Sequence, residues 1–214
     1  MDYSPVYERF TFVEPKKVDG THPAAVSYVR NLFSAEECDR ILQECLSWKC
    51  QPASVYSAVT RGDIDPKVRK GKVYTSNGKK NLWFKPKIDS AIEFFQSQNK
   101  SILISSPSII EYQLVEYTEP GDHFDVHQDS HISVTQWNMD RPPRKISLTI
   151  ELTDNTQYEG ANLRFIEDDG KTIRPEANKG DAFIFPSWRR HQVKPLVSGV
   201  RHALVCWYMG PFWR

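Results

Sequence analysis

Two periodicities divide this chain of 214 residues. In its first half, apolar residues recur at helical spacing. Cys38, Ile41, Leu42, Cys45 and Leu46 follow Ser34, which stands three residues before Glu37 in a capping-box arrangement. This predicts a helix over about 34–47. Ile88, Ala91, Ile92 and Phe95 fall at i, i+3, i+4 and i+7, predicting a second helix over about 87–98. Val26–Arg30 alternates as a short strand, and 81–84 reads as another at a sheet edge. Residues 1–25 read as an extended arm. The polar, basic stretch 60–78, broken by Gly and Pro, reads as a long loop or flap.

From residue 109 onward the period changes to two. Strands are predicted at 109–117, 122–128, 145–152, 162–167, 171–175, 181–186, 191–194 and 202–209, separated by turn chemistry such as Asp168-Asp-Gly170 and Asn178-Lys-Gly180. Eight short strands after two helices predict a mainly β fold with flanking helices (α+β). Its core would be a jelly roll, or double-stranded β-helix, buttressed by the N-terminal helices. One domain, 1–214, is expected: 1–108 supplies the arm, helices and loop, and 109–214 the core.

Composition changes this picture little. Lys+Arg 28 against Asp+Glu 27 leaves a net charge of +1, which gives no electrostatic case for nucleic acid or a membrane surface. Apolar stretches fall short of the roughly 18 residues that span a bilayer, and the N-terminus has no apolar signal region, so a soluble, cytoplasmic protein is expected. Cys38, Cys45, Cys50 and Cys206 form no C-x-x-C pair and are expected to be reduced thiols. The oligomeric state is left open.

The candidate chemistry lies at His127, Asp129 and His191. Two imidazoles and one carboxylate are the set that binds one face of a non-haem Fe(II) and leaves the opposite face open. Residues i and i+2 of a strand point to the same side, so His127 and Asp129 can reach one metal together, with His191 arriving from a separate segment. Arg201 lies ten positions past His191, where a guanidinium can pair bidentately with a carboxylate.

Tyr117-Thr-Glu-Pro-Gly121-Asp-His-Phe124 followed by His127-Gln-Asp129, then Tyr158-Glu-Gly-Ala-Asn-Leu163 and Gly180-Asp-Ala-Phe-Ile-Phe-Pro186 before His191, resembles the Fe(II)/2-oxoglutarate-dependent dioxygenases of the prolyl 4-hydroxylase-like branch. The resemblance is strongest from about 109 to 209. It implies that His127, Asp129 and His191 hold Fe(II), that 2-oxoglutarate and O2 occupy the open positions, and that L-ascorbate is a possible auxiliary. It implies further that Arg201 and Tyr117 contact the cosubstrate, with Thr149 lining the same pocket. The product would be a hydroxylated aliphatic C–H bond, on a prolyl or other amino-acid residue of a peptide or protein. Asp129 favours hydroxylation, because related halogenases carry a small residue at that position.

The stretch 130–143 is a candidate lid, with Trp137 able to stack on a substrate ring. Arg144 and Trp188 are further candidate substrate contacts. Plainer roles compete at each position: Arg201 in a structural ion pair, Tyr117 or its neighbour Tyr112 in the core, Trp188 at the surface. His123 and His131 are not expected to be ligands. Two other functions remain in competition, a hydroxylase of a free amino acid or small metabolite and a non-catalytic cupin-like module stapled by a metal such as zinc.

Overall fold

The structure is a computed structural model that describes residues 6–10, 26–56, 61–76, 82–106, 108, 110–130 and 142–211. The first half contributes β1 (Val6–Phe10), β2 (Val26–Arg30), α1 (Ala35–Leu46), β3 (Lys49–Pro52), β4 (Val55–Tyr56), β5 (Arg61–Asp63), β6 (Arg69–Lys70), β7 (Lys72–Thr75) and α2 (Lys85–Gln98). The second half contributes β8 (Ile110–Tyr117), β9 (His123–His127), β10 (Arg144–Glu151), β11 (Tyr158–Gly160), β12 (Leu163–Ile166) and β13 (Thr172–Ile173). It ends with β14 (Ala182–Pro186), β15 (His191–Val193), β16 (Leu196–Gly199) and β17 (Arg201–Met209).

The strands form an eight-stranded sheet in the order β1-β2-β14-β10-β17-β8-β7-β3 and a five-stranded sheet in the order β13-β12-β15-β9-β6, with every pairing antiparallel. This is the expected mainly β jelly-roll core. Alternation explains how the layers stack, because successive side chains of a strand point to opposite faces. On one face of the large sheet Ile146, Leu148, Ile150, Ile184, Leu204, Cys206, Tyr112 and Leu114 pack with Ile41 and Cys45 of α1 and Ile88, Ile92 and Phe95 of α2. On the other face Val73, Val115, Phe183 and Phe185 meet Leu163, Phe165 and Val193 of the small sheet. Covered on both sides, β10 is buried from Lys145 to Glu151. Each such buried aliphatic or aromatic side chain contributes roughly 1.5–3 kcal/mol.

The helix α1 begins where its capping box predicts. The Ser34 hydroxyl accepts from the Glu37 backbone N–H at 3.2 Å, and the Glu37 carboxylate accepts from the Ser34 N–H at 2.9 Å. Cys38, Ile41 and Cys45 form its buried stripe, and all four cysteines are free thiols.

Two expectations need correction. Residues 82–84 are a turn into α2 rather than an edge strand: the Lys85 N–H donates to the Leu82 carbonyl, and Leu82 and Phe84 are buried by the helix they introduce. Residue 81 lies outside the described residues. The 60–78 stretch is not simply a loop, since β6 joins the small sheet and β7 the large one. Backbone pairing to β9 and β8 orders this polar sequence without an apolar stripe of its own. Gly71, at φ +146°, makes the crossing between the sheets, and a Cβ there would lie 3.0 Å from the Glu116 carbonyl oxygen. Of the expected arm, 6–10 is β1 paired with β2, and the remainder of 1–25 lies outside the described residues. Two short strands outside the eight predicted ones, β11 and β16, pair with each other.

Candidate active site

Pairing of β9 with β15 brings the separated histidines together, for His127 and His191 are direct cross-strand partners with ring centroids 4.1 Å apart. Asp129, just past the end of β9, completes the group: Oδ1 is 3.7 Å from His127 Nε2 and Oδ2 is 3.7 Å from His191 Nε2. The ligand atoms all lie within 4.8 Å of one another.

The hydrogen bonds around this triad prepare it for a cation. His127 Nδ1 donates to the Asp125 carbonyl at 2.7 Å and His191 Nδ1 to the Arg189 carbonyl at 2.8 Å. With the hydrogen on Nδ1, each Nε2 keeps its lone pair, which is how ligating imidazoles are usually oriented. Ser147 Oγ donates to Asp129 Oδ2 at 2.6 Å, and the Ser147 and Ser187 hydroxyls lie 3.0 Å apart. Burial of Asp129 works against its ionisation, but the neighbouring His191 and His127, Arg144 and the Ser147 hydrogen bond outweigh it and hold the carboxyl at about 2. Burial, reinforced by His191, pushes His127 down to about 3, so its imidazole is neutral at pH 7. Two atoms that each sit about 2.1 Å from a shared ion are at most about 4.2 Å apart, so the 3.7 Å separations suit a single divalent metal.

The triad stands in a cavity with an empty volume of about 500 Å³, its mouth included. Tyr117, Thr149 and Arg201 line it. Tyr112 instead faces the helices. Arg201 is 2% exposed and does not present a free guanidinium. Its Nε donates to Glu151 Oε2 at 3.0 Å and its Nη2 to Glu151 Oε1. Arg201 thus forms the ion pair that stood as the alternative to cosubstrate binding, and it does so in the cavity wall. Its guanidinium carbon is 5.7 Å from the centre of the Tyr117 ring.

Three candidates fare differently. Arg144 is bound to Glu111 at 2.8 Å and lies over Trp207 at 3.6 Å, so it supports a cavity residue without lining the cavity. The Trp188 side chain packs against the helix-side core, away from the lining. The turn after β14 directs this apolar ring to the layer where apolar surface is already buried. Trp137 lies outside the described residues, as does His131. His123 is not a ligand, since both of its ring nitrogens face backbone carbonyls, of Gly121 at 2.8 Å and Lys67 at 3.1 Å.

Sequence reasoning missed Arg69, Gln113, Phe124 and Trp207, which also line the cavity. Phe124 stacks on His127 with centroids 3.5 Å apart, and the Arg69 guanidinium lies 4.4 Å from the other ring centre in the stack, that of Phe124. Gln113 and Trp207 share the alternation phase of Tyr117 and Arg201, a signal present in the sequence. Arg69 comes from the polar stretch and carried none.

Residues 112–209 match the 2OG-Fe(II) oxygenase superfamily. A PKHD-type hydroxylase of Cupriavidus metallidurans is 30% identical over 101 residues, which cover 47% of this chain and 44% of that protein. The match therefore spans less than half the length of that relative. A PKHD-type hydroxylase of Stutzerimonas stutzeri is 26% identical over 188 residues, covering 84% of this chain and 76% of that protein. The fold is similar to that of a Pseudomonas putida prolyl-4-hydroxylase, with a TM-score of 0.62 at 17% identity over 86% of this chain and 92% of that one.

Proposed function

We propose, from the match of residues 112–209 to the 2OG-Fe(II) oxygenase superfamily, that this chain is an Fe(II)- and 2-oxoglutarate-dependent dioxygenase that hydroxylates an aliphatic C–H bond. The substrate in this reading is a prolyl or other amino-acid residue of a peptide or protein, and succinate and CO2 are released. One observation carries it: two imidazole Nε2 atoms with free lone pairs and one carboxylate converge within 4.8 Å at the wall of a cavity. Ferrous iron bound there supplies oxygen activation at the expense of 2-oxoglutarate.

The chain's own residues orient and shield. His127, Asp129 and His191 hold the ion from one side, and Ser147 fixes the carboxylate. Arg201 and Tyr117 take the 5-carboxylate of 2-oxoglutarate, with Glu151 holding the guanidinium in place. Thr149 lines the same wall, and Val115, Leu163, Phe185 and Val205 keep water from the reacting atoms. L-ascorbate serves as the auxiliary reductant, and 1–214 acts as one domain. The names of the relatives support hydroxylation, and the name of the similarly folded Pseudomonas putida prolyl-4-hydroxylase supports the prolyl reading.

The test is turnover with Fe(II), ascorbate, 2-oxoglutarate and a set of proline-containing peptides and free amino acids, following succinate and the gain of one oxygen by mass. His127→Ala, Asp129→Ala and His191→Ala should each abolish succinate formation in a folded protein. Iron-dependent succinate release retained in all three would refute the assignment.

A further inference from the structure

Besides the two histidines, the cavity wall carries three charged side chains among the described residues, Arg69, Asp129 and Arg201. Glu151 cancels the charge of Arg201 through two hydrogen bonds. Asp129 faces the metal position. Arg69 differs from both: Nη1 donates to the Ser54 carbonyl at 3.0 Å, Nη2 donates to Gln113 Oε1 at 3.0 Å, and the guanidinium lies over Phe124. All three partners are neutral. Its Nε is shielded from solvent and has no hydrogen-bond partner among the described residues, which is costly for a charged donor. Among the described residues no carboxylate forms an ion pair with it.

Charge counting gives this cation a task. A ferrous ion and Asp129 sum to one positive charge, whereas 2-oxoglutarate brings two negative ones. The Arg201–Glu151 pair contributes hydrogen bonds and no net charge, and Glu151 repels an incoming carboxylate. One negative charge therefore remains unbalanced in a site of low dielectric, where an unpaired charge is strongly disfavoured. Tyr117, assigned above to the cosubstrate, lies within the field of both guanidiniums: burial raises its hydroxyl, and Arg69 ahead of Arg201 opposes that rise.

We infer that Arg69 supplies the counter-charge for the 5-carboxylate of 2-oxoglutarate, so that selection of a dicarboxylate over a monocarboxylate 2-oxoacid depends on Arg69 and not on Arg201 alone. This inference rests on the function proposed above. The cosubstrate carboxylate would be held by a neutralised arginine that fixes direction and a free arginine that fixes charge. Arg69 enters from β6, the edge strand of the small sheet, where its backbone pairs with β9 opposite Phe124. Its position is thereby tied to the strand that ends in His127.

The test is calorimetric binding to the full chain loaded with Mn(II), comparing 2-oxoglutarate with 2-oxopentanoate, which keeps the chelating 2-oxoacid and lacks the second carboxylate. Wild type should prefer the dicarboxylate. Arg69→Gln should weaken 2-oxoglutarate roughly 10- to 100-fold, the range for losing a charged hydrogen bond, and leave 2-oxopentanoate unchanged; Arg69→Lys should recover most of the preference. An Arg69→Gln protein that melts like wild type and keeps the full preference would overturn the inference while leaving the proposed function intact. Equal weakening of both ligands would also overturn it, since Arg69 would then only brace Phe124 and His127. Wild type that binds neither 2-oxoacid would overturn the proposed function itself.

Discussion

Glu151 grips Arg201 side-on, with Oε2 accepting from Nε at 3.0 Å and Oε1 from Nη2, both residues buried in the wall between the sheets. Such a pair adds little net stability, because desolvating two charges offsets their attraction, yet removing one partner strands the other. Glu151→Ala should therefore cost about 3–5 kcal/mol in urea denaturation. Glu151→Gln keeps one acceptor oxygen and removes the negative charge. It should cost less stability and tighten 2-oxoglutarate binding. Weaker binding in that variant would mean that aiming the guanidinium matters more than the charge Glu151 cancels.

Ser147 has a narrower task. Its hydroxyl, completely buried on β10, donates to Asp129 Oδ2 at 2.6 Å and thereby turns the carboxylate toward both Nε2 atoms. Partners of this kind commonly set metal affinity by about 10- to 100-fold. Ser147→Ala should weaken Mn(II) binding by that range in a chelator competition, with little change in melting temperature. A variant binding metal as tightly as wild type would assign Asp129's orientation to its backbone alone.

The legibility of the fold follows its apolar periods. The eight core strands and both helices were readable because each buries one face and is punctuated by turn residues, and the jelly roll follows from their number and order. The strands β6 and β7 were not, since their sequence is basic and their order comes from backbone pairing with β9 and β8. Arg69 was hidden with them. Gln113, Glu151 and Trp207 lay in plain view, an even number of residues from Tyr117, Thr149 and Arg201 on the same strands, but even spacing alone does not say which face meets a cavity. The 81–84 segment misled because Leu82 and Phe84 alternate for a different reason, packing at the start of α2. The candidate triad of His127, Asp129 and His191 was legible from residue types and order. The Arg201–Glu151 pair was not, because it joins different strands.

The capping box offers a test of one local reading. Ser34 closes both halves of the box, and Glu37 also accepts from Lys87 Nζ at 2.6 Å, linking α1 to α2. Ser34→Ala should lower stability by about 1 kcal/mol, the usual cost of losing an N-cap side chain. No change in the urea midpoint would show that the Glu37–Lys87 contact fixes the helix start without it.

Lys145 gives the protein a pH dependence of definite sign. It is 2% exposed on β10, and burial lowers its ammonium to about 8 from the ordinary lysine value of 10.5. Below pH 8 both folded and unfolded chains carry the proton, so the full cost of burying the charge, about 3 kcal/mol for such a shift, opposes folding. Between pH 8 and 10.5 the folded state sheds the proton while the unfolded state still holds it, and stability rises with pH. Above 10.5 both are neutral and the penalty is gone. Lys145→Met, which keeps the chain length and apolar contacts, should accordingly lose this rise, so that its stability relative to wild type falls as pH climbs through the window. Denaturation curves of the two proteins at pH 7, 9 and about 11 would measure it. A difference independent of pH would place the effect in packing against Gly210, whose backbone lies beside the Lys145 stem, rather than in the buried charge.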